Sequence, residues 1–144
     1  MTDFDVLDAY LAGQFADDYW NEDGLAYARS LVRTLSADGW DQLHTHWPTR
    51  PTDWQRRAAE IFSTVDPQYA AAAVQFLVEM VAQAREQEVA LAAADALRSF
   101  EPVVARGALS DAGWKRLEAV ERGADARSVT GLVVHALLNR LRGS

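Results

Sequence analysis

Apolar residues recur at three- and four-residue steps along almost the whole chain, and no segment sustains an alternation of apolar with polar residues. The first pattern builds one apolar side of a helix, whereas a half-buried strand requires the second. The sequence therefore predicts an all-α fold of seven or eight antiparallel helices, stacked as an α-solenoid or closed as a helical bundle. At 144 residues the chain fits one domain and can bury a core without a metal or a disulfide.

The stripes place the elements. A first helix is predicted over Asp3 to Tyr19, with Phe4, Leu7, Leu11, Phe15 and Tyr19 inward, Thr2 as cap and Asp5 where a capping-box carboxylate belongs. A second runs from Glu22 to Leu35 around Leu25, Ala28, Val32 and Leu35, and a third from Ala37 to His46 around Trp40 and Leu43. Pro48 and Pro51 bracket a turn, because proline lacks the amide donor and biases the preceding residue away from helix. Thr52 or Asp53 then caps a helix through Phe62 with Trp54, Ala58, Ile61 and Phe62 inward. Asp66-Pro67 signals the start of a helix that runs to Arg85 and buries Tyr69, Ala73, Phe76, Met80 and Val81. Glu88 to Phe100 follows, with Val89, Ala92, Ala93, Ala96 and Leu97 inward. Ser110 caps a helix holding Trp114, Leu117 and Val120. Asp125 caps the last, which turns Val129, Leu132, Val133, Ala136, Leu137 and Leu141 inward.

Residues 52–100, with the small-residue run from Glu88 to Arg98, resemble HEAT-type repeats, in which small side chains let paired helices approach closely. That resemblance covers about a third of the chain and implies a compact HEAT-like α-solenoid, with acidic helices over 1–47 before it and a helical pair over 110–142 after it.

Charge is distributed unevenly. The first 28 residues hold seven carboxylates (Asp3, Asp5, Asp8, Asp17, Asp18, Glu22 and Asp23) and no Lys or Arg, matching the net charge of the whole chain, −7. Residues 1–50 carry −6, residues 51–100 carry −3 and residues 101–144 carry +2. Nucleic-acid binding needs a basic footprint that this balance does not supply. The chain has no Cys, which removes thiol nucleophiles, zinc knuckles and disulfides together and is compatible with a reducing compartment. The amino terminus is acidic where a signal peptide would be basic, and no apolar run suggests a membrane span, so the expectation is a cytoplasmic protein with no membrane partner.

Candidate chemistry is sparse. Asp41, His44 and His46 lie within six residues, but on a helix positions 44 and 46 point about 200° apart, so they converge only if the helix ends near Leu43. No fourth ligand suggests itself, and no metal or other cofactor is expected. Asp17-Asp18 and Glu86-x-Glu88 are the carboxylate pairs, at predicted helix ends where acids face water or complement the helix dipole. His135 reads as a partly buried structural histidine. Arg50, Trp54, Arg56 and Arg57 form a basic-aromatic cluster in which Trp54 points inward and the arginines outward, towards Glu60. There is no G-x-S-x-G, phosphate loop or G-x-G-x-x-G, and no catalytic residue is assigned.

The segment Asp17, Asp18, Tyr19, Trp20, Asn21, Glu22 and Asp23 combines aromatics with dense acid at a helix junction. Tyr and Trp anchor many protein interfaces, and carboxylates around them steer a basic partner towards them. The alternative is that Tyr19 and Trp20 close the core while the acids solvate a loop.

The stretch from Leu11 to Tyr19, followed by an acidic turn and a helix, resembles the aromatic-x-x-Asp start of small helical immunity proteins of bacterial contact-dependent growth inhibition and related polymorphic toxin systems. It spans residues 7–47 and departs from the pattern at Leu11 and Ala16. The resemblance implies an all-α, non-enzymatic protein that binds a cognate toxin domain stoichiometrically and blocks its active site. Asp17, Asp18, Tyr19, Trp20, Glu22 and Asp23 would form the interface, facing a toxin with a basic surface. A HEAT-like adaptor without a toxin partner, binding a peptide in a groove of residues 52–100, is the alternative.

Overall fold

A computed structural model describes residues 2–13, 19–63, 65–123 and 129–143. Phe15, Asp17, Asp18 and Asp125, and the side chain of Val129, lie outside that description. Among the described residues there are nine α-helices and no β-strand: α1 (Asp3–Leu11), α2 (Leu25–Val32), α3 (Ala37–His46), α4 (Thr52–Ile61), α5 (Ala70–Gln83), α6 (Gln87–Arg98), α7 (Pro102–Ala108), α8 (Asp111–Gly123) and α9 (Val129–Arg142). A π-helical turn, Trp20–Gly24, leads into α2, and 3₁₀ turns Trp47–Thr49 and Pro67–Tyr69 precede α4 and α5. No helix among the described residues is long and apolar enough to cross a membrane.

The helix beyond the seven or eight anticipated is α7. Its start signal is Glu101-Pro102, an acidic residue before proline at the first helical position, the same signal that Asp66-Pro67 carries. The capping box at α1 forms as the sequence predicts: the Asp5 amide donates to Thr2 Oγ1 at 3.1 Å and the Thr2 amide to Asp5 Oδ2 at 3.0 Å. Ser36 caps α3 through its hydroxyl, and Ser110 caps α8 in the same way, each accepting from the amide three residues on. At α4 the cap is Pro51, with Thr52 already helical: the ring fixes φ, here −61°, and an extended ψ of 158° suits the position before the first turn.

Helix α1 stops at Leu11 instead of running to Tyr19. Gly13 lies two residues beyond, and glycine in a helix interior costs about 1 kcal/mol relative to alanine. The carbonyls released there are taken by a side chain: Arg57 Nη1 donates to Leu11 O at 2.9 Å and to Gly13 O at 2.6 Å. A cation at a helix carboxyl end also meets the negative end of the macrodipole. Arg57 is therefore only 9% exposed, which corrects its expected outward position, and Glu60 accepts from Trp20 rather than pairing with an arginine.

Helix α5 is the hub. Its faces pack against α6, α7 and α8, while α6 packs in turn on α4 and α9, and α1 sits on α2, α3 and α4. Phe76, fully buried in α5, has the rings of Phe62, His44 and Trp47 around it at 5.1, 5.5 and 6.1 Å between centroids. The inward residues predicted for α4 (Trp54, Ala58, Ile61) and, in α5, Ala73, Phe76, Met80 and Val81 are all buried; Tyr69, in the preceding turn, is only partly so.

The last helix keeps Leu137 and Leu141 inward as predicted but is turned away from the Leu132 and Ala136 side of its predicted stripe. Leu132 is 57% exposed and Ala136 is exposed, whereas Val134, Leu137, Leu138 and Leu141 are buried. Apolar residues occur on more than one side of α9, so the pattern alone leaves two candidate stripes and packing on α6 and α8 selects one. The same rotation carries His135 to the surface, correcting its expected partial burial. There it contacts Glu121 Oε2 at 2.7 Å and Asn139 Nδ2 at 3.2 Å.

Candidate functional site

The amino-terminal acids divide into two groups. Asp3 Oδ2 accepts from the Ser36 amide at 2.6 Å and ties α1 to the start of α3. Gly39 permits that approach, since a Cβ on it would lie 2.7 Å from Asp3 Oδ1. The Ser36 amide, above all, holds the Asp3 carboxyl below its ordinary pKa, and the Thr2 amide does the same for Asp5. Asp8 forms a two-pronged pair with Arg50, with Nε and Nη2 each 2.9 Å from a carboxylate oxygen. The Arg50 guanidinium also lies over the Trp54 ring, 5.9 Å from its centroid. Three of the seven acids are thus structural.

Glu22 and Asp23 belong to the second group. Both are exposed, and among the described residues neither makes a hydrogen bond or ion pair. They sit in the π-helical turn Trp20–Gly24, where the Leu25 amide donates to Trp20 O. Such turns insert an extra residue into a helix and recur at functional sites.

Trp20, predicted for the interface, faces the other way. It is 5% exposed, its indole N–H donates to Glu60 Oε2, and the Arg57 guanidinium lies 5.6 Å from its ring centroid. A large apolar ring with one donor is satisfied by a partly buried carboxylate partner, and that places Trp20 in the core.

Tyr19 stays outside, 44% exposed, and joins a group with Tyr10 and Tyr27, which the sequence reading did not select. The Tyr10 and Tyr19 hydroxyls are 3.3 Å apart, and Tyr27, 50% exposed, packs edge-on against Tyr10 at 4.7 Å between centroids. Burial, and after it the bond to Tyr19, raises the Tyr10 phenol above its ordinary value of 10.0, with Asp23 adding a smaller contribution of the same sign. Gly24 lies beneath the group: a Cβ there would be 3.3 Å from the Tyr10 hydroxyl and 3.3 Å from the Tyr19 ring. The sequence did carry a signal for Tyr27, which stands off the Leu25, Ala28 and Val32 stripe and so projects outward from α2. Tyr10, Tyr19 and Tyr27 with Glu22 and Asp23 make one exposed acidic aromatic surface. Asp17 and Asp18, the remaining predicted members, lie outside the described residues.

The chain matches no family model, no curated protein and no solved structure.

The histidines of α3 have separate partners. The helix continues through His46, so the break near Leu43 that convergence requires does not occur. His44 Nδ1 contacts Glu79 Oε2 at 2.9 Å, and the same carboxylate accepts from Trp47 Nε1 at 3.1 Å. His46 instead stacks on Phe4 at 5.6 Å, and Asp41 is exposed. Among the described residues, no three His, Cys, Asp or Glu side chains are grouped to hold a metal. Glu86 and Glu88 flank the exposed start of α6, where they complement the helix dipole.

Proposed function

We propose that the chain is an immunity protein that neutralises a cognate bacterial toxin domain by stoichiometric binding, blocking the toxin's active site and carrying out no catalysis itself. The observation that carries this reading is the acidic aromatic surface. Two exposed carboxylates without an internal ion pair stand beside two half-exposed tyrosines. Tyrosine contributes contact area at low entropic cost and is enriched in interface cores, while unpaired acids steer a basic partner. The proposed interface also includes Asp17 and Asp18, which lie outside the described residues. The partner is a protein with a basic face, neither nucleic acid nor membrane, and both proteins meet in the cytoplasm.

The arrangement of helices supports a compact HEAT-like stack: α2 packs on α4, α4 on α6, α5 on α7 and α7 on α9, each helix on its second neighbour. An adaptor groove over residues 52–100 finds less support. The flanks of α5 and α6 there are covered by α8 and α9.

The test is co-expression with the carboxy-terminal domain of a secreted protein encoded beside this gene. We expect the domain alone to arrest growth, the chain to restore it, and the two to co-elute as a 1:1 complex. Growth arrest that the chain does not relieve contradicts the proposal.

A further inference from the structure

A cavity of about 340 Å³ opens between α2 and the turn that leads into α5. Arg29 and Arg33 stand on its wall, about 200° and 240° round α2 from Tyr27, so the cavity lies on the flank away from the acidic aromatic surface. Val32 and Val65 supply apolar lining, and Asp66 and Tyr69 complete the polar wall. Arg33 and Asp66 approach to 3.4 Å in an exposed pair, and the Tyr69 hydroxyl donates to Arg33 O at 3.0 Å.

Arg29 differs from both. It is partly buried, and it donates through Nε to Ile61 O at 3.3 Å and through Nη2 to Ser63 Oγ at 2.8 Å. Ser63 Oγ donates its own hydrogen to Glu60 O, so its lone pair stays turned to the guanidinium. These bonds fix the guanidinium plane, yet both acceptors are neutral, and no carboxylate lies within ion-pair distance of Arg29 among the described residues. Burial lowers its pKa from the ordinary value, but a guanidinium remains charged in any protein. A fixed, partly buried cation without an opposite charge is incompletely solvated, and an anion improves its surroundings. The planar fork best matches a carboxylate. With two guanidiniums and one carboxylate on the wall, the local surplus of one positive charge also suits a monoanion better than a phosphate dianion.

We propose that this cavity binds a carboxylate bearing a small aliphatic group, with Arg29 holding the carboxylate and Val32 and Val65 receiving the apolar part. Its volume lies near the lower end of the range for small-molecule sites and accommodates a ligand about the size of one amino acid residue. The carboxylate could come from a free short-chain acid or from the carboxy-terminal residue of a peptide. The inference does not rest on the immunity reading and stands or falls separately from it.

Titration of the full chain with N-acetyl-L-valine, isobutyrate and N-acetyl-L-valinamide, followed by NMR, tests it. At least one of the two acids should bind saturably and shift resonances of Ala26, Val65 and Tyr69, while the amide should bind at least about tenfold more weakly. Tighter binding of N-acetyl-L-valine than of isobutyrate identifies a peptide terminus as the source, and the reverse order a free acid. Arg29→Gln should weaken the acid about tenfold or more, and Arg33→Gln about two- to threefold. Should Arg29→Gln fail to fold, the acid–amide comparison on the unaltered chain and the Arg33→Gln variant still decide. Absence of saturable binding by either acid, equal binding of acid and amide, or full affinity in a folded Arg29→Gln variant would overturn the site.

Discussion

The amino-terminal helices and the central helices share one apolar core but differ in the polar joints added to it. From α4 to α6 the interior is mostly apolar, with Phe62, Phe76, Leu77 and Met80 fully buried and Gln55 and Arg57 as the buried polar side chains among the described residues. Helices α1 to α3 bury Phe4, Leu7, Leu11, Ala28 and Leu43 in the same core and add polar joints between elements: Asp3 to the Ser36 amide, Asp8 to Arg50, Arg57 to the end of α1, and Trp20 to Glu60. Non-directional burial tolerates small errors of placement, whereas each of these bonds requires a named partner at a fixed distance. Burial therefore stabilises both regions, and the polar joints of the amino-terminal region also fix the shape and charge of the acidic aromatic surface.

The largest expected effect lies in the centre. Phe76→Ala should cost about 3–5 kcal/mol in chemical denaturation, because the site is enclosed by rings and cannot readily collapse. A loss under 1 kcal/mol would mean that α5 is not the hub. At the amino end, Arg57→Met keeps much of the volume but leaves the Leu11 and Gly13 carbonyls without their donor. The loss should be about 2–3 kcal/mol, with hydrogen exchange faster at the end of α1 than in α5. Uniform acceleration across both regions would erase the distinction drawn between them.

Acid should separate the regions by a smaller margin. Asp3 and Asp5 have folded pKa values below the ordinary 3.8, so the stability they contribute is complete above that value. It is lost as pH falls through the ordinary value towards the depressed ones, because the unfolded chain then binds protons that the folded chain does not. Asp3→Asn should flatten the fall in stability below about pH 4, and an unchanged acid limb would show that the Ser36 contact is not formed. The charge pair Glu22→Gln with Asp23→Asn should alter stability least, by no more than about 0.5 kcal/mol, since neither side chain is held by another.

What could be read from the sequence follows the same division. The all-helical class, the span of α3 and the buried stripes of α4 to α6 were legible because helical periodicity reports burial directly. The end of α1 was not, because it depends on Arg57 arriving from 44 residues away. The phase of α9 was not, because apolar residues occupy more than one of its sides. In the candidate site the acids were visible as composition, but which of them face inward was not. Asp3 and Asp8 are distinguished from Glu22 and Asp23 by partners distant in sequence, Ser36 and Arg50. Trp20 and Tyr19 are neighbours with opposite fates, decided by the Glu60 carboxylate beneath one of them. Tyr10 and Tyr27 joined the surface only once α1 and α2 were packed together.

The most direct test of the acidic aromatic surface is the association rate with the toxin domain proposed as its partner, as a function of ionic strength. For the unaltered chain the rate should fall steeply with added salt. In the Glu22→Gln, Asp23→Asn variant it should start lower and depend less on salt, while Tyr27→Ala should act mainly on dissociation, at a cost of about 2 kcal/mol if that ring is an interface anchor. Identical rates and identical salt dependence for the unaltered chain and the folded charge variant would contradict the placement of the partner on this surface.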